Sequence, residues 1–393
     1  MRGRGLTYSA GSSGRYNPGV IPEGIRMKLC AVAVLGVACG LTLAAQSKPA
    51  AKADPWAKIP AETLSFGRPI PLKLPQSQLM GLPFRCDGSG KVYLRVLMKT
   101  SPRLISDYAS VDKTGHVVLF PVNGGVLEIS DMRQDSDYPG KKHFYAMVEG
   151  YSRRAIPAPG ETKVPWQQFI ADYNPDGTLD SITTLHTSIF NTHFAVLPSG
   201  KIVAMGMDPA NRGLHLYMLD RDGRNPESLN LTGSGLYSSR NLRRLYPGER
   251  GTPPGYTDTV ASAGRFVPWG DDVLFVQSGT DFPVLVIGDS GIVNEVRLQL
   301  PPGARVDSLI PSSGSFWYAR VYGEAGDHTP QRIVEFDPDT GKPLRQLRLS
   351  VRDARMVACR TESGFVTVKA TFPKDRSAAE SKYPVWNLVT ASE

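Results

Sequence analysis

The sequence has 393 residues, 41 % of them hydrophobic and 21 % charged, which is enough apolar content for an extensive core and too little charge for a disordered chain. Its formal net charge is +8, but the first 45 residues hold five of the basic residues and one acid, leaving 40 bases against 36 acids, about +4, in the remainder. So small a surplus is too weak to argue for a nucleic-acid surface or for attraction to an anionic membrane, and neither partner is expected.

Residues 1–26 are rich in Gly, Arg and Ser and show no periodicity; they read as a disordered upstream extension. At Met27-Lys28 the pattern changes to one cation, the apolar run Leu29–Ala45 and then small residues, the layout of a secretory signal peptide over residues 27–47. Translation is therefore expected to begin at Met27, with cleavage after Ala45 or Ser47 and a secreted or periplasmic product. The alternative is an anchor formed by an uncleaved N-terminal helix, for which the run falls short of the ~20 residues that span a bilayer. A lipoprotein signal at Cys39 is disfavoured by Gly36, where such signals usually place Leu. Residues 48–61 read as an Ala/Pro/Lys linker, and the folded body is expected over 62–393.

From Glu62 onward the sequence shows strand pairs and turns at short spacing, an all-β signature. One kind of hairpin begins at Phe84, Val126, His193, Arg265, Ser308 and Met356, each an apolar strand, a turn with Gly or Asp, and an alternating apolar strand. A second kind covers Asp107–Leu119, Phe169–Leu185, Leu214–Arg224, Val284–Leu300 and Arg332–Leu349, mostly around Asp-x-x-Gly or Asp-Gly turns. Gly accepts a positive φ in such turns, and Asp accepts hydrogen bonds from their backbone. The two kinds alternate with a period of roughly 40–60 residues, that of propeller blades. Residues such as Val92, Tyr93, Phe275, Phe316, Trp317 and Phe365 are expected between blades.

Six units are counted. The sixth shows three strands, ending on Pro384–Ala391, and an unfinished blade leaves an open edge. The unassigned strand Leu64–Leu74 is expected to pair there and close the ring; its prolines suit an outer edge. The chain thus resembles the six-bladed β-propeller superfamily, particularly the NHL-like and gluconolactonase-like propellers of secreted bacterial proteins. The resemblance covers about residues 62–393 and rests on repeat length and turn type. It implies an all-β propeller of four-stranded antiparallel blades.

Cys86 and Cys359 sit at matching places in the first hairpins of units one and six, which neighbour each other in a closed ring. In an exported chain they are expected to form a disulfide; two buried thiols are the alternative.

No nucleophile elbow, HExxH, P-loop or dinucleotide fingerprint occurs. His186, Asn191 and His193 flank the link between units two and three, close to where a propeller has its central opening. The long link Thr232–Ala261 interleaves arginines with tyrosines, among them Arg243, Arg244 and Tyr246. A second long link, Tyr151–Lys163, carries Arg153 and Arg154. Both links belong on one face of a propeller, and their Arg and Tyr residues suit acidic or sugar ligands. The expectation is a monomeric, non-enzymatic binding scaffold with no cofactor, whose partner is a protein or a glycan. The alternative implied by the resemblance is a hydrolase, lactonase or lyase assisted by one divalent metal. For that metal the repeat offers Asn123, Asn191 and Asp272 at strand starts, without a family motif around them.

Overall fold

The computed structural model describes residues 56–72, 77–79, 85–98, 106–122, 125–157, 159, 161–162, 164–207, 214–229, 264–277, 283–302, 304–322, 332–349, 357–371 and 385–392. All of them lie in the compact unit Ala53–Glu393. The expected upstream extension, signal segment and apolar run, together with Arg243, Arg244, Tyr246 and Asn123, fall outside the described residues. Among the described residues every regular element is a strand.

The chain enters along the outside of the ring with β1 (Ala61–Thr63), β2 (Ser65–Phe66) and β3 (Ile70–Pro71). Blade 1 follows with β4 (Ser77–Leu79), β5 (Arg85–Cys86), β6 (Val92–Met98), β7 (Ser106–Val111) and β8 (Val117–Phe120). Blade 2 is β9 (Ile129–Pro139), β10 (Phe144–Ser152), β11 (Gln167–Tyr173) and β12 (Leu179–Thr184). Blade 3 is β13 (Phe190–Val196), β14 (Ile202–Met207), β15 (Leu214–Leu219) and β16 (Glu227–Ser228). Blade 4 is β17 (Gly264–Trp269), β18 (Asp272–Gln277), β19 (Val284–Gly288) and β20 (Gly291–Val296). Blade 5 is β21 (Arg305–Ile310), β22 (Trp317–Tyr322), β23 (Arg332–Phe336) and β24 (Pro343–Arg348). Blade 6 is β25 (Val357–Thr361), β26 (Gly364–Thr371) and β27 (Val385–Ser392).

These are six antiparallel meanders arranged as a six-bladed β-propeller. The innermost strands touch in sequence, β5 to β9, β13, β17, β21 and β25, and β25 returns to β5. The turn after the first or third strand of each blade opens on one face, here the hairpin face. Links after the second and fourth strands open on the opposite, crossover face.

The apolar side chains fill the spaces between blades, as expected when neither face of a blade meets water. Tyr93, Tyr108, Phe120, Phe144 and Tyr173 pack between blades 1 and 2, and Phe194, Met205 and Phe275 between blades 2 to 4. Trp317 and Phe336 lie between blades 4 and 5, and Tyr318, Leu347 and Phe365 between blades 5 and 6. Phe316 departs from the expected core: it is 40 % exposed because it lies in the turn before β22 instead of on the strand.

The expected closure is present. β2 and β3 pair antiparallel with β27, Ser65 opposite Ser392 and Ile70 opposite Leu388. The two short strands are parts of one edge, joined by the Gly67 N–H donating to the Thr390 carbonyl at 2.7 Å. Cys86 and Cys359 form a disulfide across the seam between blades 1 and 6, with Cα atoms 5.7 Å apart.

The body begins earlier than the boundary read at Glu62. Trp56 is 1 % exposed and packs with Val334 and Phe336, because its ring covers apolar surface at the outer side of blade 5. Gln346 Nε2 donates to the carbonyls of Trp56 and Ile59, both at 2.9 Å. β1 then pairs in parallel with β24, making a fifth strand of that blade, and Glu62 bonds Arg345 at 2.9 Å.

Candidate functional site

The hairpin face carries a cleft of about 620 Å3. Five blades line it: Asp87–Ser89 from blade 1, Tyr138, His143 and Tyr145 from blade 2, and Pro198–Gly200 from blade 3. Gly270–Val273 from blade 4 and Ser312-Ser313 from blade 5 complete the rim, and Ile170, Val196 and Ile202 supply apolar wall. These turns are short because each joins two antiparallel strands, so their polar side chains are held by rigid sheet.

Hydrogen bonds fix the rim further. Ser89 donates to Asp87 Oδ1 from both its N–H, at 2.8 Å, and its hydroxyl, at 2.6 Å. Burial nevertheless raises the Asp87 carboxyl above its ordinary range, with Ser89 opposing. Ser199 Oγ donates to Asp289 at 2.5 Å, tying blade 3 to blade 4. Lys141 of blade 2 meets Asp271 of blade 4 at 2.9 Å, with both side chains exposed. Asp272, one of the expected alternative ligands, lines this cleft; burial raises its carboxyl, and the charges of Asp271 and Asp289 add to the effect.

On the blade 2 wall His143 Nδ1 lies 2.7 Å from Asp172 Oδ1. With Asp180 these residues bring three donor atoms within 4.8 Å of one another. Burial raises the Asp172 carboxyl; His143 opposes this, and the charge of Asp180 reinforces it.

The central channel holds a charged network on the inner strands. Arg85 Nε bonds Asp137 at 2.9 Å, and Arg95 reaches the other oxygen of that carboxylate at 3.5 Å. His193 faces Arg265, with Nε2 2.6 Å from a guanidinium nitrogen. Burial, then the charges of Arg265, Arg85 and Arg95, push His193 down to about 2. Burial and Arg85 push Arg265 down to about 10, against the pull of Asp307 and Asp137. Its bonds join blade 1 to blade 2 and blade 3 to blade 4, while Asp307 of blade 5 acts on Arg265 through its charge.

Among the described residues, the expected ligand residues are dispersed. His193 does reach the channel wall. His186 is exposed, and Asn191, five residues further along the chain, is 0 % exposed and bonded to Gln168 and Tyr217. Its amide holds blade 2 to blade 3 and offers nothing to a channel metal. Arg153 and Arg154 are exposed on the crossover face, where Arg154 pairs with Glu128. Tyr151 meets Trp166 edge-on at 4.9 Å on the same side, with Arg133 over the indole at 5.4 Å. The cleft lies on the other face and draws on His143, Asp172, Lys141 and Ser199, which the sequence reading passed over.

No protein-family model and no curated protein matches the chain. Solved structures do show a likeness. A sialidase from Trypanosoma rangeli is 8 % identical with a TM-score of 0.36, over 85 % of this chain and 59 % of its own. The hydrazine synthase of Kuenenia stuttgartiensis is 9 % identical with a TM-score of 0.35, over 79 % and 40 %. Dipeptidyl peptidase 4 from Porphyromonas gingivalis is 12 % identical with a TM-score of 0.31, over 76 % and 49 %. The chain spans about half the length of these proteins, and the likeness concerns the fold alone.

Proposed function

We propose that the chain is an exported binding propeller that takes a hydroxyl-rich ligand, the end of a glycan, in the cleft of the hairpin face. The observation that carries this reading is the cleft itself, about 620 Å3 and drawn from five blades. That volume lies within the ~300–1,000 Å3 of small-ligand sites. A protein partner instead calls for ~800 Å2 of contact on each side, which a concave cleft of this size does not offer. The lining sets carboxylates, hydroxyls and ammonium groups beside the ring of Tyr145. Sugars present hydroxyls to the former and apolar ring faces to the latter. The signal-type leader read in the sequence and the Cys86–Cys359 bridge support export, since disulfides persist in oxidising compartments.

A glycan array probed with the full chain tests the reading. Ser199→Trp, which fills the cleft mouth, is expected to weaken any hit by at least about tenfold, the loss of ~1.4 kcal/mol. Arg153→Ala with Arg154→Ala, on the opposite face, is expected to leave binding unchanged. Loss of binding in the arginine variant with none in Ser199→Trp moves the ligand to the crossover face and overturns the assignment.

A further inference from the structure

We propose that His143, Asp172 and Asp180 form a site for one divalent transition cation, with Zn2+ as the reference ion, on the blade 2 wall of the hairpin-face cleft. This goes beyond the glycan reading and stands or falls without it, because the site is assayed with the metal alone.

The backbone explains how three residues so far apart in sequence converge. Tyr145 stands opposite Asp172 across β10 and β11, and Asp172 stands opposite Ser181 across β11 and β12. Residues directly opposite share a face, and successive residues alternate. His143 precedes β10 two positions before Tyr145, so it belongs to that same face. By alternation Asp180, next to Ser181, belongs to the other face. It does not go there, because Tyr173 pairs with Leu179 and leaves Asp180 as the extra residue of a β-bulge. A bulge re-aims one side chain while the strands on either side stay in register. Here it turns the second carboxylate toward the first, and all three donor atoms come within 4.8 Å of one another.

The surroundings favour a cation over a hydrogen-bonded cluster. Two carboxylates with oxygens within 4.8 Å of each other repel, and a cation held between them relieves that repulsion. Arg221, from the outer turn of blade 3, lines the same cleft, but one guanidinium does not balance two carboxylates. The His143 ring stacks on Tyr145 with centroids 6.1 Å apart, which holds the imidazole plane in place. All three residues line or border the cleft, so an ion has an approach path and its remaining positions face open space.

The donor set selects the ion. One imidazole and two carboxylates suit Zn2+ or its first-row neighbours. Ca2+ requires six to eight oxygens and Mg2+ a near-ideal octahedron, which three protein donors supply poorly. Three ligands leave a coordination position open toward the cleft, where a ligand oxygen can sit.

The test is calorimetric titration of EDTA-treated full chain with Zn2+, with Ca2+ and Mg2+ as comparison ions, and visible absorption on Co2+ addition. One Zn2+ per chain is expected, with weaker binding of Ca2+ and Mg2+ and a d–d band from Co2+. Asp180→Asn, an exposed position, and His143→Gln are each expected to weaken Zn2+ by at least about tenfold, since even contacts that merely support a ligand cost ~10–100-fold. Unaltered far-UV dichroism shows that the variants are folded. His186→Ala removes an exposed histidine elsewhere and is expected to change nothing. Absence of Zn2+ binding to folded wild-type chain, or binding that survives both Asp180→Asn and His143→Gln, overturns the proposal.

Discussion

Burial and three neighbouring guanidinium groups hold His193 neutral in the folded chain, at about 2 against an ordinary value of 6.5. Between those values the unfolded chain binds a proton that the native chain does not. This contribution to stability is present above pH 6.5 and is lost as pH falls below it. The slope approaches about 1.4 kcal/mol per pH unit well below 6.5. Urea unfolding of wild type and His193→Gln between pH 7 and pH 5 is expected to show the steeper fall in wild type. Titrations common to both chains cancel in the difference, so parallel profiles would refute a neutral, buried imidazole. At this scale the sequence was legible in places. The Cys86–Cys359 pair could be read because the two residues occupy equivalent positions in blades that a closed ring makes neighbours. Asn191 was misplaced because an amide at a strand start reads alike whether it faces a channel or a neighbouring strand. What decides is Gln168, on another blade and 23 residues away. The grouping of Asp180 with Asp172 depends on a bulge, and no residue pattern announces a bulge between β11 and β12.

The elements were more legible than the residues, because alternation and turn chemistry are local. The Asp-x-x-Gly and Asp-Gly turns do form hairpins: Asp112 accepts from the Thr114 N–H at 2.8 Å and hydroxyl at 2.6 Å, and Asp176 from the Thr178 N–H at 3.0 Å and hydroxyl at 2.6 Å. A second role of these turns was hidden, since it involves the preceding blade. The Gly177 position, with φ of +87°, faces the end of β8, where an added Cβ falls 2.0 Å from the Leu119 carbonyl oxygen. The equivalent turns of blades 3 and 5 also reach backward: Gly223 and Gly341 carbonyls accept from His186 and Gln299 N–H at 2.8 Å each. The third-to-fourth-strand turn is therefore a joint between blades. Gly177→Ala is expected to cost more than the ~1–2 kcal/mol of a left-handed backbone alone, because the joint must also open. Gly270→Ala supplies the comparison, as Gly270 has φ of +62° and nothing within 4 Å of an added Cβ. Equal losses in the two variants, measured by urea unfolding, would reduce Gly177 to a turn residue.

At the scale of the whole molecule, a ring built from a linear chain must be closed, and two devices close this one at the same seam. The entering segment runs from Trp56 along the outside of blade 5 through β1 and along blade 6 through β2 and β3 before the chain begins blade 1. The disulfide joins the inner strands of blades 1 and 6 across a sequence separation of 273 residues. Closure was legible in outline, since a three-stranded last unit and a spare first strand call for each other. The earlier hold of Trp56 on blade 5 was not, because one Trp in an Ala/Pro/Lys stretch carries no periodicity. Leu72, at the end of the entering segment, packs in the same apolar cluster as Cys86 and Cys359, so the two devices share contacts. Devices that share contacts are not independent. With the bridge intact, blades 1 and 6 stay within reach after the segment is removed, and the ring can re-form. With the bridge cut as well, the seam has lost both devices, and the chain entropy released on opening, up to ~5 kcal/mol for so long a loop, counts in full. Deleting residues 1–72 is thus expected to lower the melting temperature in the bridged protein, and to lower it further in a Cys86→Ser, Cys359→Ser background. The check is a four-way set of thermal melts of wild type, each change alone and both together. An equal drop from the deletion in both backgrounds means that strand and disulfide act separately, and no drop in either means that the ring is held closed elsewhere.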